Sequence, residues 1–166
     1  MGGIRIRKAR EKDSSQFLSL LRALADFEKL NPPDRNAEKR ILVDIFAKRR
    51  LGLFVAQDND KLVGYALYFF SYSSFLAKPT LYLEDIFVLE SHRGKGIGNQ
   101  LFRRCAGEAV STDCGRMEWA VLTWNQNAMA FYEKIGARRL KEWCYYRLDR
   151  EKLNELGGAN ECKSGN

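Results

Sequence analysis

The sequence is poor in the residues that build metal and redox sites. It has one histidine, His92, and its four cysteines, Cys105, Cys114, Cys144 and Cys162, form no CxxC pair. A zinc centre would be short of well-spaced ligands, and a disulfide scaffold has no framework, so no metal is expected. A Cys-His nucleophilic pair would have to use His92, which sits beside a glycine-rich turn with nothing to hold it against a thiol. Long apolar runs are missing too: none approaches the roughly 18 to 20 residues that cross a bilayer. The opening Met1-Gly-Gly-Ile-Arg-Ile-Arg7 has no apolar stretch of the secretory kind. Gly2 begins no myristoylation motif, because Ile6 stands where Ser or Thr is needed. The expectation is a cytoplasmic protein with no membrane partner.

What is present is the balance of a folded domain. The chain has 166 residues, 45% hydrophobic and 30% charged, which excludes a disordered or fibrous class. A chain of this length buries roughly 70% of its unfolded surface. Lysine and arginine number 28 against 21 acids, a net charge of +7 that favours anionic partners such as phosphates or nucleic acid. The basic residues are spread in pairs, Arg49-Arg50, Arg103-Arg104 and Arg138-Arg139, with acids nearby, as on a solvated surface.

Hydrophobic period divides the chain into alternating elements. Ile4 and Ile6 alternate with Arg5 and Arg7 as in a short strand. Asp13 and Ser14 offer N-cap chemistry to a helix whose apolar face is Phe17, Leu18, Leu20, Leu21, Leu24 and Ala25. Pro32-Pro33 ends it, and Ile41, Leu42, Ile45 and Phe46 predict a second helix. Leu53 to Ala56, a turn at Asp58-Asn-Asp-Lys61, and Leu62 to Phe70 read as a hairpin, followed by a looser Ser71 to Pro79. Leu81 to Leu89 reads as a strand that carries two adjacent carboxylates, Glu84 and Asp85, in an otherwise apolar run. A glycine turn and a helix through Leu101, Phe102, Cys105 and Ala109 follow. Met117 to Leu122 predicts a strand, Asn127 to Ile135 a helix, and Leu140 to Leu148 a final aromatic strand. The expected order is βααβββαβαβ, one mixed α/β domain over residues 1–153 with a polar, mobile tail over 154–166.

Arg93-Gly-Lys-Gly-Ile-Gly98 joins a strand to a helix start, where unpaired amides and the positive helix end favour a phosphate. It lacks the Lys-Ser/Thr pair of a Walker A loop and departs from GxGxxG. Glycines chosen only for left-handed turn geometry would explain the loop without a ligand.

The Arg-x-x-Gly-x-Gly pattern of Arg93, Gly96 and Gly98 resembles the acyl-CoA loop of the GNAT acetyltransferase superfamily. The resemblance extends to Leu81-Tyr-Leu-Glu-Asp-Ile-Phe-Val88 and to Trp124-Asn-Gln-Asn-Ala-Met-Ala-Phe-Tyr-Glu-Lys-Ile-Gly-Ala137, and covers nearly the whole chain to Leu153. Together these look like the diamine acetyltransferase branch, which includes spermidine/spermine and thialysine acetyltransferases. The resemblance implies a splay between the strand ending near Val88 and the strand ending near Thr123, with acetyl-CoA inserted as a pseudo-strand. Backbone groups of Ile86, Phe87 and Val88 would hold the pantetheine and thioester region. Arg93, Gly94, Lys95, Gly96, Ile97, Gly98 and Asn99 would take the pyrophosphate, and Asn125, Gln126, Asn127 and Ala128 the other side of the arm. Asn125 could equally be an Asx cap of the following helix.

A free alkylamine has a pKa of about 10.4, so transfer at neutral pH needs a proton acceptor. Glu84 occupies the family position of that base, direct or through water, and Tyr132 that of the phenol that protonates the departing thiolate. An ordinary strand carboxylate and a core aromatic are the alternatives. By the same resemblance Phe27, Glu28, Glu84, Glu118, Trp119, Ala120 and Glu142 surround the acceptor amine. Polyamine-specific members carry an acid in the loop after the long strand, where this chain has Ser71-Tyr-Ser-Ser-Phe75, whereas Ala120 to Met129 looks more like the thialysine type. A homodimer is implied, with the aromatic final strand offering surface for it. The reading is an acetyl-CoA-dependent N-acetyltransferase for a small primary amine, acting in a ternary complex. Alternatives are a protein lysine or N-terminal acetyltransferase of the same fold and a non-catalytic basic nucleotide or nucleic-acid binding module, the latter opposed by the lack of an aromatic-basic recognition motif.

Overall fold

Near-continuous apolar runs make the central strands of one sheet buried on both faces, and a computed structural model describes residues 3–158 of the chain. The elements are β1 (Arg5–Lys8), α1 (Ser14–Glu28), α2 (Arg35–Leu42), β2 (Gly52–Asp58), β3 (Lys61–Ser73), β4 (Lys78–Val88), α3 (Ile97–Ser111), β5 (Arg116–Trp119), α4 (Gln126–Lys134) and α5 (Arg150–Gly158). Residues up to Ala120 form one compact unit and those from Val121 a second.

In the first unit the strands lie in the order β1-β2-β3-β4-β5. Neighbours are antiparallel except for β4 and β5, which run parallel with α3 as the crossover. Each face of the sheet has its own core. Phe54, Ala66, Leu81 and Leu83 pack with Ile97, Leu101 and Cys105 of α3, whereas Val55, Tyr65, Leu67 and Phe87 pack with Phe17, Leu20 and Leu24 of α1.

Several local expectations are corrected. Asp13 precedes α1 but caps it with no side-chain hydrogen bond. Its carboxylate instead takes a bidentate bond from Arg7, at 2.6 and 2.8 Å, and accepts the Arg10 amide. A buried carboxylate gains more from a guanidinium fork than from one amide. The second helix starts earlier than its apolar residues suggest, because Asp34 caps the Ala37 amide at 2.7 Å, and it ends in a π-helical turn, Val43–Ala47. The looser Ser71 to Pro79 is mostly strand: β3 and β4 extend to a short turn between Ser73 and Lys78.

In the second unit Asn125 caps α4 by accepting the Ala128 amide at 3.2 Å. The expected final strand at Leu140 to Leu148 is absent; these residues are irregular. A strand needs a neighbouring ladder to pair its amides, and no ladder among the described residues includes this segment. The tenth element is therefore helical: α5 crosses the expected boundary after residue 153, and the rest of the polar tail lies outside the described residues. No helix among the described residues is long and apolar enough to cross a membrane.

The Arg7–Asp13 pair ties β1 to the start of α1, and its side chains are only 12% and 5% exposed. Arg7 and its bonds hold the Asp13 carboxyl below the usual carboxylate range. Stability from this pair is present above the ordinary aspartate pKa and lost as pH falls through the depressed native value. Asp13→Asn, which leaves Arg7 buried without its countercharge, should destabilise by about 3 kcal/mol, read by denaturant unfolding at pH 7. An unchanged midpoint contradicts this role.

Candidate active site

The site begins with a break in the period of β4. Leu81 and Leu83 pack on the α3 face, and so do Ile86 and Val88, while Phe87 packs on the α1 face. Alternation allows only even spacings on one face, so one residue between Leu83 and Ile86 is extra. The register shows it: Tyr68 faces Leu83 and Leu67 faces Asp85, with Glu84 unmatched. This is a β-bulge, which re-aims side chains and bends its strand. Counting from Leu83, Glu84 falls on the α1 face; counting back from Ile86, Asp85 does. Both carboxylates are thus directed to one side.

Glu84 is exposed and Asp85 half-buried. The Tyr65 hydroxyl, from a fully buried ring packed edge-on to Phe17, donates to Asp85 Oδ2 at 3.3 Å. Burial and then the charge of Glu84 push the Asp85 carboxyl up to about 7, with a smaller rise from Glu28 against the lowering effect of the Tyr65 bond. Burial also raises Glu28, at the C-terminal end of α1. A carboxyl whose native pKa exceeds its unfolded one loses stability for the fold as pH rises from about 4 to about 7. Such a cost is characteristic of functional sites.

On the β5 side, the ladder pairs Thr80 to Leu83 with Arg116 to Trp119 and then stops. Among the described residues no strand covers that edge of Glu84 to Val88. The Val88 carbonyl accepts from Arg93 Nε at 2.9 Å. The Arg93 guanidinium lies 4.7 Å from the ring centre of Phe27 and 5.7 Å from that of Phe87, joining the end of α1 to β4. Phe27, Glu28, Glu84, Phe87, Val88 and Arg93 are therefore brought together, with Asp85 and Tyr65 among them.

Beyond Arg93 the loop opens for an anion. Gly94 and Gly96 both have φ of +75°, a conformation that resists a side chain. A Cβ at Gly94, Gly96 or Gly98 would meet nothing within 4 Å. Gly96 is the N-cap of α3 and gives no side-chain cap, so the first-turn amides of Ile97, Gly98 and Asn99 await an acceptor from outside the helix. The Ile97 side chain is buried in the α3 core, leaving only its backbone for a ligand, and Lys95 Nζ bonds the Ser91 carbonyl at 3.3 Å. These groups fit a pyrophosphate.

The other residues selected from the sequence have the following surroundings. Glu118 is paired with Arg116 at 3.0 Å, Trp119 stacks edge-on to Phe102 at 5.1 Å, and Ala120 is exposed at the end of the first unit. In the second unit Gln126 bonds the Thr123 carbonyl, Asn127 is exposed, and Glu142 is exposed on the irregular segment. Tyr132 is buried on α4, and burial raises its phenol to about 12. Among the described residues no group of three or more His, Cys, Asp and Glu could hold a metal.

Residues 17–137 match the model of the Acetyltransferase (GNAT) family. The chain belongs to that family. This acetyltransferase is 35% identical over 170 aligned residues to thialysine N-epsilon-acetyltransferase of Mus musculus, an alignment that covers 95% of this chain and 99% of the relative. Its fold is similar to an integron cassette protein from the mobile metagenome of V. cholerae, with TM-score 0.77, 26% identity, and 93% and 97% of the two chains covered. It is also similar in fold to AAC(6')-Iy in complex with the bisubstrate analog CoA-S-monomethyl-acetylneamine, with TM-score 0.76, 20% identity, and 89% and 99% covered. The GNAT enzyme is an acyltransferase with amine-acetylating relatives.

In the sequence Glu84 and Asp85 stand out as adjacent carboxylates in an apolar strand, but the family pattern gives a role only to Glu84, and nothing marks Tyr65 among the apolar residues around it. The bulge has no signal in the sequence, because residues 81 to 83 and 86 to 89 are all apolar and positions 81, 83, 87 and 89 would also suit a regular strand. Gly98 tests the loop without disturbing the turn, because it sits in α3 with open space around it. Gly98→Glu improves helix propensity but sets a carboxylate in the anion cradle. Affinity for CoA should fall by about tenfold or more, with the melting temperature held or raised; unchanged affinity in calorimetry removes the loop from the cofactor site.

Proposed function

We propose that the protein transfers acetyl from acetyl-CoA to a primary amine of a small lysine-like acceptor, thialysine being the nearest model. The single observation that carries this is the β4 bulge, which sets two carboxylates beside an uncovered strand edge and next to an uncapped glycine loop. The mouse relative's named substrate supports the acceptor class, and the CoA-linked analogue held by the similarly folded AAC(6')-Iy supports the donor.

Acetyl-CoA, when bound, supplies a thioester carbonyl open to attack by an amine nitrogen. The amides of Gly94 to Asn99 would hold its pyrophosphate and the backbone groups of Ile86 its arm, with the Phe87 backbone paired to Tyr65 of β3. The Val88 carbonyl is engaged by Arg93, so that residue contributes through its position and its amide. Asn125 to Ala128 remain candidates for contacting the arm, although the Asn125 side chain is also the α4 cap. Glu84 accepts the proton of the attacking amine, directly or through water, and the phenol of Tyr132 protonates the leaving thiolate. A phenol is protonated at neutral pH, the state a donor needs, and burial of Tyr132 extends that state to higher pH. Phe27 and Glu28 wall the acceptor side, with Glu118, Trp119, Ala120 and Glu142 as further candidates.

We also infer a homodimer in the cytoplasm. Trp143, Tyr145 and Tyr146 are 74%, 74% and 94% exposed in the single chain, an apolar aromatic surface of the kind that partner chains cover. The described cysteines are free thiols, as in a reducing compartment. Light scattering should give twice the 19.1 kDa chain mass; a monomer over the assayed concentrations rejects the dimer.

The function is tested by CoA release against a panel of amines, with nucleic-acid binding measured in parallel. Lysine-like amines should turn over, and release of CoA with no amine in the panel contradicts the reading. Tyr132→Phe keeps the ring and removes the hydroxyl. Its single-turnover rate should fall by roughly 10²- to 10⁴-fold, with CoA affinity and melting temperature held. A wild-type single-turnover rate would leave Tyr132 a packed aromatic only.

A further inference from the structure

Adjacent residues of a regular strand point to opposite faces, so the second carboxylate of a Glu-Asp pair is ordinarily a residue apart in function as well as in space. Here the bulge removes that separation. Asp85 faces α1, opposite Leu67 in the register, one strand over from Tyr65. The groups around it come from each packed element. Tyr65 of β3 donates to it at 3.3 Å, Glu84 of β4 adjoins it, Glu28 of α1 adds like charge, and the Arg93 cation lies against the neighbouring Phe87 ring. Tyr65 is held in place without help from Asp85, its ring fixed edge-on to Phe17 at 5.1 Å and tilted against Phe87 at 6.3 Å. A rigid donor on a half-buried carboxylate, beside an exposed carboxylate, makes an acidic cluster whose negative charge depends on the Asp85 proton.

We propose that Asp85 is a positioning carboxylate for the acceptor amine: Tyr65 holds it, and its ionisation completes the negative charge that draws a cationic amine to Glu84. This rests on the acceptor-site reading above and deepens it. When Asp85 is protonated it is a neutral neighbour, and the ammonium is held by fewer charges. When it loses that proton to solvent the cluster gains one unit of negative charge, and Glu84, kept next to it by the bulge, faces an amine already in place. Asp85 acts through charge and placement, and Glu84 keeps the proton-accepting role.

The pH window follows from the raised carboxyl, which changes state near pH 7. The Tyr65 bond favours the ionised form, so its removal moves the midpoint upward. Three full-length proteins decide it: wild type, Asp85→Asn and Tyr65→Phe, the last retaining the ring that packs against Phe17 and Phe87. Carboxyl-labelled aspartate followed by NMR should show one side chain titrating near neutrality in wild type. That signal should be missing in Asp85→Asn and should move to higher pH in Tyr65→Phe. Calorimetric binding of thialysine in the presence of CoA, where no transfer occurs, should tighten by about fivefold or more from pH 6 to pH 8 in wild type. Asp85→Asn should flatten that change with CoA affinity unaltered. An aspartate titration confined to the ordinary range, a Tyr65→Phe midpoint that stays put, or an equal pH response in Asp85→Asn each overturns the proposal. Failure of every amine to be acetylated while these titrations behave as described would instead count against the acceptor reading of the site.

Discussion

One extra residue in β4 is the constraint on which the site depends. Both faces of the sheet are packed, α1 on one and α3 on the other, so every side chain of the strand must be assigned to a side. An insertion in such a strand cannot be absorbed by sliding, since a one-residue slip would drive Phe87 into the α3 core and Ile86 into the α1 core. It is absorbed at Glu84. Packing on either side of the bulge is preserved, and the local consequence is two neighbouring acids on one face where a regular strand would separate them.

The same strand supplies the second requirement, an open edge. The β4·β5 ladder is four residues long and ends at Leu83 and Trp119, one residue before the bulge. Backbone groups beyond it face no strand among the described residues, and unpaired backbone groups seek partners. Val88 has found one in Arg93, which also stacks on Phe27 and Phe87. A single guanidinium thus fastens the end of α1, the end of β4 and the start of the glycine loop. The acceptor wall and the cofactor loop share that fastening, which gives a physical reason for the arginine that opens the loop motif.

Much of this was legible in the sequence because it is local. The hairpin announces itself by a polar turn between apolar runs, the glycine loop by composition, and α1 and α3 by their apolar period. The family motifs lie in consecutive residues, and so they identify the acetyltransferase without any knowledge of contacts. What was hidden is which partner each polar group takes, near or far in the chain. Nothing near Asp13 shows that Arg7 takes it away from its capping role, and nothing near Asp85 shows that Tyr65, across a strand pair, will hold it. The aromatic segment from Leu140 to Leu148 has the composition of a strand, but a strand is a relation between two segments. Composition cannot supply the partner.

On this reading the β4 edge past the bulge and the glycine loop form one cofactor site. Amide hydrogen exchange of the full chain, with and without CoA, tests it most directly because it reads those backbone groups themselves. CoA should slow exchange at Ile86 and Val88 and in Gly94 to Asn99, while the amides of the β1–β2 ladder, far along the sheet, keep their rates. Protection elsewhere with these two segments unchanged would contradict it.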